Sequence, residues 1–355
     1  MIRLSSSLLP LLVATAFLIA APHVPAAGRV EVLDSTGGLP TRLVADFKHE
    51  TAFVETSKGE ALVLDAGAHG LFSIDAGRSR AKRIVPLGGE PGHILKPSAL
   101  AIGPNDIVAI VDAPAGYDRL QYFGADGSYV NGFYVPNPLA SRLTIGPVVV
   151  NGIGSLQFNG KTFFVSTPHN GALIMEVGTD GLPIRSIGEL RPTGYEPDAG
   201  LQLGLNLGIP LIDPQGGLYF VFQTGRPMFR KYDAAGQLLF ERHIEGVELD
   251  AALKSLPTTW PSRPDHSVPY IPPVVRTAAV DPAGQLWVSL IVPYTYIYDR
   301  AGEKIRTVQF RSAGSLMSPG SLFFGRGDRV LVTPGCLDFS SRPGPVQGIH
   351  GLDGI

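Results

Sequence analysis

The chain has 355 residues, of which 44% are hydrophobic and only 17% charged, so it can bury a large core behind a thin polar surface. Its formal net charge of −2 and the lack of a basic run longer than Arg78–Arg83 argue against a nucleic-acid partner. A single cysteine, Cys336, excludes an internal disulfide, and 43 glycines with 31 prolines favour short strands and tight turns over long helices.

The first residues read as an export signal. Arg3 supplies a positive n-region, Leu8–Ala21 is an apolar stretch of h-region length, and Val24-Pro25-Ala26 places small residues for cleavage after Ala26. The apolar run is short of the roughly 20 residues a spanning helix needs, and it contains Pro10. The expectation is a signal peptide over residues 1–26, removed to leave one domain over 27–355. That domain is periplasmic or secreted and has no permanent membrane anchor.

From residue 51 onward one unit recurs six times. Apolar runs begin at Thr51, Ser98, Gly154, Gly208, Arg276 and Gly320, and each ends in a turn such as Asn159-Gly160 or Pro282-Ala283-Gly284. A second run follows each turn: ALVLD (61–65), IVAIVD (107–112), TFFVS (162–166), LYFVF (218–222), LWVSL (286–290) and VLVT (330–333). Five copies go on to a third strand and a further turn closed by Gly77, Gly127, Gly181, Gly236 or Gly302, at spacings of 50, 54, 55 and 66 residues. Four short antiparallel strands per unit predict an all-β, six-bladed β-propeller, in which no blade buries its own faces alone.

The sixth copy lacks a clear third and fourth strand after Cys336, whereas Arg29–Asp34 and Thr41–Phe47 are strand-like and unclaimed. The N-terminal strands are therefore expected to close the last blade, leaving no open sheet edge. Between Val247 and Pro273 lies an insertion, beginning with a segment whose Val247, Leu249, Ala252, Leu253 and Leu256 fall near one helical face. Connections of this length usually bind or cover something, so a lid over the channel is the expectation here, with a packing decoration as the alternative.

The phrases PSALAI (97–102), IVD (110–112), RLQYF (119–123) and Asp126-Gly127 resemble an NHL-type repeat of the six-bladed, TolB-like propeller superfamily, as does TAAVD (277–281) with GQLWV (284–288). The resemblance implies architecture only. That superfamily holds lactonases, amidating lyases, quinone-dependent sugar dehydrogenases and plain binding proteins, so fold analogy does not choose among them.

In such a ring the loops between second and third strands, together with the blade connections, form one face around the channel. The residues placed there that can do chemistry are His93, Asp112, His169, Asn170, Arg226, Tyr294 and Tyr296. His93 and His169 are the general-base or metal-ligand candidates; no cofactor is certain, and the one candidate is a divalent calcium or zinc on those two histidines. Arg226 offers a bidentate fork for an anion against an ordinary surface ion pair, and Tyr294 and Tyr296 offer a stacking face against ordinary packing. Asp65 and Asp112 sit at a recurring strand end where an aspartate holds loop amides. The favoured reading is an exported binding propeller whose loop face takes a small molecule or a protein. The alternative is a metal-dependent hydrolase or lyase of the gluconolactonase or amidating-lyase type.

Overall fold

The computed structural model describes residues 30–135, 142–145, 148–151, 155–168, 171–260 and 271–342, with 142–145 and 148–151 as backbone alone. Six antiparallel sheets follow one another, led by the inner strands Glu50–Glu55, Ala99–Ile102, Leu156–Phe158, Gly208–Ile212, Val275–Val280 and Ser321–Phe324. From each inner strand the chain steps outward to its sequence neighbour. Adjacent inner strands touch all the way round, and the last meets the first. The protein is a six-bladed β-propeller.

The second strands are buried along their whole length, as in Ala61–Asp65, Val108–Asp112, Leu218–Phe222 and Leu286–Leu290. Both faces of a blade are covered by neighbours, so these strands read as continuous apolar runs rather than as an alternation. Each seam between blades carries its own apolar cluster. Leu62, Leu64 and Leu71 of blade one meet Val108, Ile110 and Phe123 of blade two. Tyr219 and Phe229 of blade four meet Val288 and Tyr296 of blade five.

The recurring glycine belongs to the same seams. Gly127 has φ +86°, and a Cβ there would stand 2.1 Å from the carbonyl oxygen of Ile84, in the outer strand of the preceding blade. Gly181 abuts Phe133 in the same way, and Gly302 abuts Phe240. Gly77 does not, because the blade before it ends in a two-residue strand, and the positive φ falls on Arg78 instead.

Ring closure differs from the expectation in detail. Val30–Asp34 pairs in parallel with Lys304–Ser312 on the rim of blade five, not blade six, and Arg306 and Arg311 hold Glu31 and Asp34 at 2.8 and 2.6 Å. The fourth strand of blade six is Gly37–Gly38, paired with Leu337 and Asp338. Its third strand is Leu337–Ser340, which the sequence reading missed. Thr41–Phe47, expected as a strand, holds helix α1 (Thr41–Val44). Leu39, Leu43 and Phe47 fill the seam between blades six and one, and this burial outweighs the weak helix propensity of Thr41 and Val44.

Two further helices decorate the blade connections. Helix α2 (Ala199–Leu205) is capped by Asp198, whose carboxylate accepts the Leu201 N–H at 3.1 Å. Helix α3 (Val247–Lys254) opens the insertion and buries Leu249, with Ala252, Leu253 and Leu256 packed on the seam between blades four and five. Val247, expected on that face, is 82% exposed at the first turn. Beyond the helix, the backbone N–H of Trp260 donates to the Tyr195 hydroxyl at 3.0 Å, and the two rings meet edge-on. Residues 261–270 of the insertion lie outside the described residues. No helix among the described residues is long and apolar enough to cross a membrane.

Candidate binding site in the channel mouth

The starts of the inner strands and the loops that follow the second strands converge around the channel, where a cavity of about 440 Å³ opens. Much of its wall is apolar, from residues such as Leu100, Ile102, Phe158, Leu211 and Phe323. Set into this wall are the amides of Gln157 and Gln223 and the hydroxyls of Thr51, Ser98, Ser155, Thr277, Ser321 and Thr333. The charged or titratable members are His49, Glu50 and Arg276. A concave, largely apolar site with a few convergent polar groups is the usual form of a small-molecule pocket. None of Val247 to Trp260 lines it, so the described part of the insertion packs on a seam rather than over the cavity.

Arg276 owes its position to local irregularity. On the inner strand of blade five the register shifts between Val275, opposite Leu290, and Thr277, opposite Ser289, which leaves Arg276 as the extra residue of a bulge. Bulges of this kind re-aim a side chain. Gln223, from the loop of blade four, fixes the bulge: its backbone carbonyl accepts the Val274 N–H at 2.8 Å, and its side-chain amide donates to the Arg276 carbonyl at 3.3 Å. The Arg276 Nε is buried without a hydrogen-bond partner, and its guanidinium makes no hydrogen bond or ion pair with any described residue. Burial pulls its pKa below the ordinary arginine range. Glu50, two blades away, accepts the Gly335 N–H at 2.6 Å.

Of the residues singled out from sequence, His93, Asp112, Arg226, Tyr294 and Tyr296 are described, and none of them lines the cavity. Asp112 is fully buried beside Arg119, whose Nε and Nη2 donate to it at 2.9 and 2.6 Å, while the Leu95 N–H donates at 2.9 Å. Burial pulls the Arg119 pKa down, but the hydrogen bond and charge of Asp112 outweigh it and raise the pKa overall. Arg119 also holds the carbonyls of Gly89 and His93, so this pair ties the connection between blades one and two to the ring. Asp65 does similar work, accepting the N–H groups of Lys48, His49 and Ala68.

The His93 ring turns outward, with Nε2 3.5 Å from the Glu90 carboxylate. Arg226 is 71% exposed and 3.4 Å from Glu245. Tyr296 is fully buried, its hydroxyl donating to Glu248 of α3 at 2.7 Å, and Tyr294 packs on the same seam. His169 and Asn170 lie outside the described residues. Arg119 joins His93, through its carbonyl, to Asp112; His93, Asp112, Arg226, Tyr294 and Tyr296 all lie off the cavity wall.

A metal on His93 and His169 therefore involves a residue outside the description. Among the described residues no three His, Cys, Asp or Glu side chains are placed to hold a metal ion. The cavity wall itself offers only His49 and Glu50 as donors of that kind. Those two groups fall short of the three or four nitrogen, sulfur or carboxylate ligands that a zinc site takes.

Sequence reasoning passed over Arg276 because it opens an apolar strand. The signal was nonetheless present: at the first position of the six inner runs the other copies carry Thr51, Ser98, Gly154, Gly208 and Gly320. A long cation stands where a small residue is the rule.

No family model and no curated protein matches this chain. Among solved structures it is similar to a gluconolactonase from Xanthomonas campestris, at 12% identity and TM-score 0.52 over 88% of this chain and 97% of that one. It is similar to a streptogramin B lyase at 11% identity and TM-score 0.51, over 82% and 93%. It is also similar to the PQQ-bound aldose sugar dehydrogenase of Streptomyces coelicolor, at 11% identity and TM-score 0.50 over 89% and 99%. At these identities the likeness establishes the six-bladed fold and nothing finer.

Proposed function

We propose that this chain is an exported binding propeller that takes a small organic molecule in the mouth of its central channel. The observation that carries the reading is the cavity of about 440 Å³, whose apolar wall carries amides, hydroxyls and, at a bulge, one guanidinium unpaired among the described residues. Binding is favoured over hydrolysis or elimination because, among the described residues, the wall carries one histidine and one carboxylate, His49 and Glu50, and no third such group to complete a metal site. Export rests on the signal-like residues 1–26. The test is a thermal-shift screen of small organic molecules on the mature protein and on Ser321→Trp, which fills the mouth. Ligands that raise the melting temperature of the parent but not of the variant support the proposal. Ligands that stabilise both equally bind elsewhere and overturn it.

A further inference from the structure

Ile184, Leu238 and Leu239 are exposed apolar side chains on outer strands, with nothing to identify an occupant. Arg191 is a buried cation, but four hydrogen bonds to the carbonyls of Leu205, Thr224 and Arg226 account for it. Lys231 is buried against Asp213. Arg276 is different.

Every other half-buried or buried arginine among the described residues has a carboxylate or a set of carbonyls. Arg78 meets Asp338, Arg119 meets Asp112, Arg185 meets Glu176, Arg230 meets Glu241, Arg242 meets Glu303, Arg306 meets Glu31 and Arg329 meets Glu55. Arg276 alone among them has neither, although its Nε is out of contact with solvent and its strand is bent to aim it at the cavity. An Nε kept from water without a partner costs free energy that an acceptor on a bound ligand would recover, and the rest of the guanidinium borders the cavity where such a ligand would lie. The planar fork of arginine matches a carboxylate through two parallel hydrogen bonds.

From this geometry we infer that Arg276 anchors the carboxylate of a small monocarboxylic acid whose aromatic or branched aliphatic body lies against Leu100, Phe158, Leu211 and Phe323. The inference rests on the proposed binding function of the same cavity. Charge sets the class. One cation faces the cavity and Glu50 is on the same wall, which disfavours phosphate esters and polycarboxylates. The leucine, isoleucine and phenylalanine side chains of the wall favour an apolar body over the hydroxylated one of a sugar acid.

The test is calorimetric titration of the mature protein with phenylacetate and phenylacetamide, and with 3-phenylpropionate and its amide. The acid of each pair is expected to bind at least about tenfold tighter than its neutral isostere. Arg276→Gln should remove that preference, and Arg276→Lys should restore part of it. A second readout does not depend on binding: without ligand, Arg276→Gln should melt at or above the parent temperature, because it removes an uncompensated cation. Acid and amide that bind alike, both lost in Ser321→Trp, would overturn the anchor while leaving the cavity as a binding site. Absence of binding by all four probes would overturn the monocarboxylate class, leaving the cavity reading to the broader screen. A variant that melts well below the parent would show Arg276 to be structural and would also overturn the inference.

Discussion

Asp112→Ala isolates how a blade connection is fastened to the ring. The carboxylate accepts three hydrogen bonds, two from Arg119 and one from the Leu95 N–H, and the two side chains of the pair are 0% and 5% exposed. Truncation leaves a buried guanidinium facing a void and strands one backbone N–H. Breaking a buried ion pair from one side costs about 3–5 kcal/mol. Arg119 keeps the carbonyls of Gly89 and His93, which places the expected loss near the low end, about 3 kcal/mol. Urea unfolding followed by tryptophan fluorescence measures it as a lower midpoint at an unchanged slope. The double variant Asp112→Leu with Arg119→Met removes both charges and should recover most of the loss, to within about 1–2 kcal/mol of the parent. A single variant that loses less than about 1 kcal/mol would refute the reasoning, since the connection would then be held by packing and not by the pair.

Gly127→Ala should destabilise by more than about 2 kcal/mol, because positive φ and a 2.1 Å approach to the Ile84 carbonyl act together; a melt within a degree of the parent would contradict the seam account. Cys336 is fully buried, and burial, reinforced by Glu50, pushes its thiol pKa above the ordinary range, so iodoacetamide at mildly alkaline pH should label it in concentrated urea and not in the native protein. Tyr296→Phe removes the hydrogen bond to Glu248, and should cost about 1 kcal/mol with faster hydrogen exchange confined to α3. Intact mass of the exported protein should correspond to a first residue Ala27; a mass that includes residues 1–26 would count against the signal reading.

The blades were legible because the repeat carries its own physics. Second strands covered on both faces must be apolar throughout, and a turn glycine pressed on the preceding blade admits no side chain, so both recur in register. The ends of the chain were less legible. VEVLD reads as a strand, but nothing in its sequence says that it pairs in parallel with blade five, and α1 is one turn long and exists because Leu43 fills a seam. Leu337–Ser340 is too short and too close to a Thr-Pro-Gly turn to stand out.

At the site, choosing residues by chemical type led away from the cavity. Asp112 is a reactive group in name, yet it is occupied by Arg119 and the Leu95 N–H, and Tyr296 serves a helix. Arg276 was passed over for the opposite reason: it opens an otherwise apolar inner strand, where its sequence gives no sign of the bulge opposite Leu290 and Ser289.

The most direct test of the central claim is a crystal structure of the mature protein grown with phenylacetate, read for density in the channel mouth. The account predicts an ordered acid with its carboxylate paired to the Arg276 guanidinium and its ring against Leu100 and Phe158. A ligand seated on the outer face of the blades, with the Arg276 side chain turned away from the cavity, would contradict it.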